Sequence, residues 1–390
     1  MYKKRVKESH RRQGFGGQVK SQRVKEYTVA VLGSHSALDV CRGAKDEEFK
    51  TLVIVEKGRD KTYAKYFKSS DPSINSGPTG CVDEVLYVDK FKDILSEKIQ
   101  KVLRAKNCIF IPHRSFEVYL NDYDAIEKKF NIPMFGNRYL LRTEERSEKP
   151  NQYDLLAKAN IKFPKIFKKP EDIDCLVIVK AQQEKVSFER GFFFASSPKE
   201  FYLEAQKRIS SGLISKKNLE KAVIEEFIVG VAVNFNFFYS PISKRLELVG
   251  TDARRQTNLD GILRLPAPQQ IEALKYLEVT FKEMGHFAVT LPESLIEEAM
   301  EIGERFVRTT QKEYNPGIIG PFALQSLIRP IFPKLEIVVY DVSPRMPGSP
   351  GINATPYSGY LYGKSISMGR RVAIEIKEAL ANNQLNKVVT

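Results

Sequence analysis

The chain has 390 residues, 42% of them hydrophobic and 28% charged, with a formal net charge of +14. That length accommodates two or three packed domains, and the composition is that of a soluble globular protein, excluding a fibrous or largely disordered one. No apolar run approaches the roughly 20 residues of a membrane span, and no apolar core follows the basic start, which excludes a secretory signal.

Four scattered cysteines, Cys41, Cys81, Cys108 and Cys175, form no C-x-x-C pair. They read as reduced thiols of a cytoplasmic protein. The charge is unevenly spread. Residues 1–26 hold nine Lys/Arg against two Glu, so they carry half of the excess. Poor in apolar residues, this segment is expected to be a disordered basic tail. Its share of the charge argues against a nucleic-acid-binding protein, which a pI near 9.3 would otherwise suggest. The mild positive balance elsewhere suits an anionic substrate such as a nucleotide.

In chain order, YTVAVLG (27–33) predicts a buried strand, and SHSALDVCRGAKDEEF a helix with Ala37, Val40, Cys41 and Ala44 on one face. TLVIVEKG (51–58), DEVLYVD (83–89) and NCIFIPH (107–113) predict further strands, with a helix over about 91–105 between the last two. A fifth short strand is expected just before MFGN (134–137). Strands alternating with helices predict a parallel sheet. Ligands of such sheets gather beyond the carboxyl ends of the strands, where GSHS (33–36) and PHRS (112–115) lie.

From about 140 the pattern changes. A helix around 151–159 precedes CLVIVKA (175–181), a strand carrying Lys180, and its expected partner ERGFFFASS (189–197). SPKEFYLEAQKRI predicts a helix with a serine cap. KAVIEEFIVG (221–230) is a strand and bend. VAVNFNFFYSP (231–241) and LELVGTDARRQTNL (246–259) predict antiparallel strands. His286 is expected in a helical region with a structural role. A helix over about 293–313 precedes the strand pair FALQSLIRP and LEIVVYDVSPR, and GKSISMGRRVAIEIKEALA (363–381) closes the chain. Alternating apolar and polar residues predict antiparallel sheets with helices on one side.

The last strand ends in YDVSPRMPGS. Alternation there would put Asp341, Ser343 and Arg345 on one surface, a set suited to a hard cation and phosphates. Lys180 on a buried strand needs an anion or a carboxylate partner. Gln325 sits mid-strand in FALQSL. Each residue also has a plainer reading. Ser36 could cap the helix that follows it, Asn258 could serve the turn in TNLDG, and Glu225 and Glu226 could be a solvated strand end.

Taken together, VIVK, IEEFIVG and DVSPR resemble the ATP-grasp superfamily. That resemblance implies a preATP-grasp parallel α/β domain followed by an ATP-grasp fold of two antiparallel sheets with helices. The implied divisions are a tail (1–26), a preATP-grasp domain (27–138), a small subdomain (139–222) and a C-terminal subdomain (223–390). LGSHSALDVCRGAKDEEFKTL, IPHRSF, IPMFGNRYLLR, IVGVAVNFNFFYSP, TNLDGILRLPA, GIIGPFALQSL and SMGRRVAIEIK further resemble the archaeal FAICAR synthetases, formate-dependent ligases of purine synthesis. That resemblance covers residues 27–390 and implies ATP-dependent joining of formate to AICAR through formyl phosphate.

Residue by residue, the resemblance implies that His35, Ser36, Ser115 and Asn258 contact AICAR. Arg146, Lys180, Glu225, Glu226 and Ile228 would hold ATP, Gln325 and Asp341 would hold Mg²⁺ or Mn²⁺, and Arg345 would stabilise transferred charge. It also implies a homo-oligomer, a trimer or hexamer. The chain departs from the family pattern in four places. AQQEKVSFERG (with Lys185 and Arg190) replaces a glycine-rich loop, Asp341 stands where glutamate is usual, MPGSPGINATPYS (with Ser349, Gly351 and Thr355) stands where a glycine–threonine-rich anion loop is often found, and Arg114 stands where glycine is common. The alternatives are another ATP-grasp carboxylate–amine ligase with different substrates, or a non-catalytic nucleotide-binding paralogue.

Overall fold

The computed structural model describes residues 24–69, 79–182, 190–255, 257–277, 284–331 and 333–390. Nearly all of the basic tail and the loop containing Lys185 lie outside them. The chain divides into two compact units. The first comprises residues 1–141, 233–324 and 343–390, and the second residues 142–232 and 325–342.

The first unit opens with a parallel sheet in the order β3-β2-β1-β4. Its strands are β1 (Thr28–Leu32), β2 (Lys50–Glu56), β3 (Glu84–Val88) and β4 (Cys108–Phe110). β1 is buried along its whole length, as expected of a strand covered on both faces. The expected fifth strand is reduced to one bridge, Phe110 to Met134. The helix expected over 91–105 is interrupted: a 3₁₀ turn (Phe91–Leu95) is followed by a helix (Glu97–Ala105) whose N-terminus Ser96 caps. A serine at that position accepts from backbone N–H groups and so restarts the helix.

Helix α1 (Ala37–Asp46) packs against α2 (Met368–Ala381), the closing helix of the sequence. Glycines allow the approach. A Cβ on Gly43 would lie 2.1 Å from the Arg370 nitrogen, and one on Gly369 would lie 2.2 Å from the Asp39 carbonyl oxygen. The Gly369 N–H also donates to the Asp39 carboxylate at 2.9 Å. Val40, Cys41 and Ala44 join Val372, Ala373 and Ile376 in one buried cluster that also takes in Phe238, Val249 and Met346. Each fully buried Val, Ile, Phe or Met side chain among them contributes about 1.5–3 kcal/mol as an upper bound.

A five-stranded sheet has the order β11-β10-β9-β12-β13. Its strands are β9 (Val231–Ser240), β10 (Arg245–Arg255), β11 (Gly285–Ala288), β12 (Gly320–Ile331) and β13 (Lys334–Ser343). β10 runs antiparallel to both β9 and β11. Phe237 stacks on Phe322, which stacks on Phe306 of the long helix Glu293–Glu313. That apolar layer occupies one face of β9. Asn234 and Asn236 alternate with Phe235 and Phe237, so they point to the other face. β12 and β13 continue into the second unit.

The second unit contains the antiparallel sheet β5-β8-β6-β7. Its strands are β5 (Ile166–Phe167), β6 (Val177–Gln182), β7 (Arg190–Ala195) and β8 (Val223–Glu226). The helix Pro198–Ser210 begins at the expected serine cap, with Ser197 accepting from the Glu200 N–H. Val177, Val179, Phe193, Phe201 and Ile224 form this unit's core. Among the described residues no helix is long and apolar enough to cross a membrane. The four cysteines are free, and three of them are buried.

Candidate functional site

In the second unit a run of polar side chains connects four of the expected residues. Lys180 on β6 pairs with Glu225 on β8; these strands are antiparallel neighbours, with Lys180 opposite Val223 and Ile178 opposite Glu225. The Tyr153 hydroxyl donates to the other Glu225 oxygen at 2.7 Å and accepts from Arg146 Nε at 2.8 Å. Arg146 Nη2 then donates to Asp341 Oδ1 at 3.0 Å and to the Tyr340 carbonyl at 3.1 Å. Gln152 Nε2 reaches the same Asp341 oxygen at 3.1 Å, and Gln152 Oε1 accepts from the Val342 N–H at 2.6 Å.

The Glu225 carboxylate is buried, so it is no solvated strand end, and Lys180 meets a buried carboxylate rather than a surface one. Burial pulls the Lys180 ammonium below its ordinary value, opposed in part by Glu225. Burial also acts to lower the Arg146 guanidinium, but Asp341, Tyr153 and Glu225 outweigh it and raise it. Glu226 faces Arg329 at 3.6 Å and accepts from the Lys165 N–H at 3.2 Å. Ile228 is buried just beyond, and the Phe227 N–H between them bonds the Leu176 carbonyl at 2.8 Å.

Asp341 and Gln325 supply a carboxylate and an amide oxygen from neighbouring strands, β13 and β12. Two hard oxygen donors suit Mg²⁺ or Mn²⁺, which fills its other positions with water and phosphate oxygens. The donor set therefore fits such an ion, with Arg146 sharing the Asp341 carboxylate.

The first unit holds the rest of the expected set. β1 and β4 pair in parallel, so their carboxyl ends, GSHS and PHRS, lie side by side. The His35 and His113 rings stack with centroids 5.3 Å apart and 18° between planes. The Ser115 hydroxyl donates to the Ser34 hydroxyl at 3.0 Å. His113 Nε2 bonds the Leu32 carbonyl at 2.9 Å, and Nδ1 is buried with no hydrogen-bond partner among the described residues. Ser36 makes no side-chain cap to α1; its hydroxyl meets His35 Nδ1 at 2.9 Å. His35 has a positive φ of 50°, a conformation that is uncommon outside glycine. Burial first, then the Arg345 charge, hold the His35 imidazole far below its ordinary value. Burial likewise lowers His113 to about 4, against the raising effect of the Leu32 carbonyl.

Arg345 does not continue the alternation of Asp341 and Ser343. β13 ends at Ser343, since Pro344 has no N–H to extend the ladder. Arg345 instead lies 3.6 Å from the buried Glu117 carboxylate and donates to the Met346 carbonyl at 3.2 Å. Arg114 also meets Glu117, at 3.7 Å. Asn258 is exposed in the turn before the helix Leu259–Ile262, outside the buried cluster.

His286 corrects an expectation. It lies on β11, not in a helical region, because Gly285–Ala288 pairs edge-on with β10. Its Nδ1 meets Asp252 Oδ2 at 2.6 Å. Asn234 and Asn236 donate to the same carboxylate at 2.8 and 2.6 Å. Burial would raise Asp252, but His286, Asn236 and Asn234 outweigh it and hold the carboxyl below its ordinary value. The alternation in VNFNF was the sequence signal for the two asparagines. Nothing local announced Tyr153, Gln152 or Glu117.

A parallel sheet with antiparallel sheets that carry the lysine, glutamate and aspartate strands defines an ATP-grasp ligase. Profiles described as a protein of unknown function (DUF1246) and a domain of unknown function (DUF1297) match residues 29–167 and 200–390. A Methanopyrus kandleri protein named 5-formaminoimidazole-4-carboxamide-1-(beta)-D-ribofuranosyl 5'-monophosphate synthetase is 39% identical over 367 residues, covering 94% of this chain and 96% of its own. A Methanocaldococcus jannaschii protein of the same name is 40% identical, over 94% and 95%. The chain belongs to this synthetase family. The crystal structure of an IMP biosynthesis protein PurP from Thermococcus kodakaraensis superposes with a TM-score of 0.66 at 29% identity, covering 93% of this chain and 100% of that one. A phosphoribosylglycinamide synthetase from Anaerococcus prevotii shares the fold, with a TM-score of 0.52 at 13% identity, over 90% and 75%.

Proposed function

We propose that the protein joins formate to the 5-amino group of AICAR at the expense of ATP, giving FAICAR, ADP and phosphate in IMP biosynthesis. The observation that carries this reading is the continuous run Lys180–Glu225–Tyr153–Arg146–Asp341 in a chain that matches the synthetases along 94% of its length. Formate is a poor electrophile until its oxygen takes the γ-phosphoryl group. Lys180 and Arg146 hold the phosphates in this reading, and charge placed beforehand in a water-poor site is what such a transfer needs. Glu225, Glu226 and the backbone to Ile228 receive the adenine and ribose.

A Mg²⁺ or Mn²⁺ held by Asp341 and Gln325 would neutralise phosphate charge as it develops. Ser115, Ser36 and the neutral His35 offer hydrogen bonds to AICAR. Asn258 joins them from its exposed turn, and Arg345 stabilises the acyl phosphate. An aromatic amine is a weak nucleophile, so orientation supplies much of the rate. The expected divisions 27–138, 139–222 and 223–390 are proposed as the functional modules, and the cytoplasm as their location. The homo-oligomer belongs to the same proposal. Exposed Leu263, Ile271, Tyr276 and Phe287 support it, and sedimentation of the full chain tests it.

The test is incubation with ATP, Mg²⁺, AICAR and formate, following ADP and FAICAR while each substrate is omitted in turn. Equal amounts of ADP and FAICAR, dependent on all three substrates, are expected. ADP released only with some other acid or amine would overturn the substrates and leave the ligase.

A further inference from the structure

The face of the five-stranded sheet opposite the phenylalanine layer carries a polar set that the ligase reading leaves unused. On antiparallel strands directly opposed residues share a face. Asn234 opposes Asp252 across β9 and β10, and Arg254 opposes His286 across β10 and β11. Asn234, Asn236, Asp252, Arg254 and His286 therefore project together. The set adjoins the loop after β13: Ser349 Oγ is 3.5 Å from His286 Nδ1, and a Cβ on Gly348 would lie 2.6 Å from His35 Nε2. The histidine pair at the carboxyl ends of β1 and β4 is thus reached through two adjacent loop residues.

We propose that His286, oriented by Asp252, is the base that takes the amine proton when AICAR is formylated. The proposal rests on the ligase reading above. Its chemistry balances. The amine nitrogen attacks the formyl carbon of formyl phosphate, and an N–C bond forms. The C–O bond to phosphate breaks, with the electron pair leaving on phosphate. The N–H proton passes to His286 Nε2. No oxidant, reductant or further reactant is needed.

Three observations support the assignment. Asp252 takes Nδ1 at 2.6 Å, which directs proton exchange with a substrate to Nε2. Two asparagine amides fix the carboxylate, so the imidazole is held in one orientation, the logic of carboxylate-oriented bases in general. The other two described histidines are poor bases, because burial holds both His35 and His113 well below the ordinary imidazole value. Among the described residues, Asp252 meets His286 at 2.6 Å, Arg254 lies opposite it on β10, and His35 feels the charges of both Arg345 and Arg254. The turn Pro350–Ala354, which also packs on β11, brings no ionisable side chain. Asp252 is a positioning residue, acting through the imidazole.

The experiment compares ADP and FAICAR release by the full chain and by H286N, H286Q and D252N across pH 5.5–9, with AICAR binding measured by calorimetry. In H286N, FAICAR formation is expected to fall about 100-fold or more, with AICAR affinity little changed. ADP is expected to exceed FAICAR, because formyl phosphate that is not captured hydrolyses. The fall in wild-type rate at acid pH disappears in H286N and moves in D252N. Equal losses of ADP and FAICAR in both His286 variants, or an unaltered pH profile with AICAR still bound, would overturn the proposal. Absence of FAICAR from the wild type would instead overturn the ligase reading, and the base with it.

Discussion

Arg146 and Asp341 meet at 3.0 Å, their side chains 12% and 18% exposed. An expected phosphate ligand and an expected metal ligand are thus partners, so neither can be changed without disturbing the other. D341N keeps an acceptor for Gln152 and Arg146 but removes the charge. It is expected to lower unfolding free energy by about 1–2 kcal/mol, and ATP turnover by about 100-fold. Denaturant titration and ADP release check the two separately. Near-wild-type turnover would remove Asp341 from the metal site.

Lys180 and Glu225 make a sharper case, because Glu225 is buried and the Lys180 side chain is only 12% exposed. Among the described residues K180M leaves the Tyr153 hydroxyl as the donor to the Glu225 carboxylate, and loss of one partner of a buried pair costs about 3–5 kcal/mol. The double variant K180M/E225Q removes the stranded charge and is expected to recover much of that loss while remaining inactive. A double-mutant cycle on unfolding free energies measures the coupling; additive losses would show that the pair is not coupled.

His113 makes stability depend on pH. Its imidazole titrates at about 4 when folded and near 6.5 when unfolded. Between those values the unfolded chain binds the extra proton, so stability falls as pH falls. The full effect is about 3 kcal/mol. Unfolding free energies at pH 7 and pH 5 should therefore converge in H113N relative to the wild type. An equal pH slope in both proteins would exclude His113 as the source.

Gly348 has no side chain because the His35 ring occupies the space. G348A is expected to displace that ring from its stack on His113. A displacement of this size costs about 100-fold in a positioned reaction, and AICAR kcat/KM is the place to read it. ATP affinity should not move. An unchanged kcat/KM would take His35 out of the substrate site.

Some of this was legible in the sequence for local reasons. GSHS and PHRS could be paired in advance, because hydrophobic runs of a parallel sheet place their carboxyl ends together. Lys180 announced a carboxylate or anion partner by standing in an apolar strand. Other features were not readable. Glu117 meets Arg345, and Tyr153 meets Glu225, across sequence separations that no periodicity encodes. Alternation placed Arg345 beside Asp341 only until Pro344 ended the strand. His286 was missed as a strand residue because β11 has only four residues, too few to show a period of two.

The seam between α1 and α2 has a consequence for the order in which the molecule can form. Gly43 and Asp39 leave the ribosome early, while Gly369 and Val372 follow several hundred residues later. At usual elongation rates that gap is some tens of seconds. Throughout it, the apolar face of α1 that Val372, Ala373 and Ile376 will cover has no lasting neighbour. That face closes only once the helix Met368–Ala381 has been made.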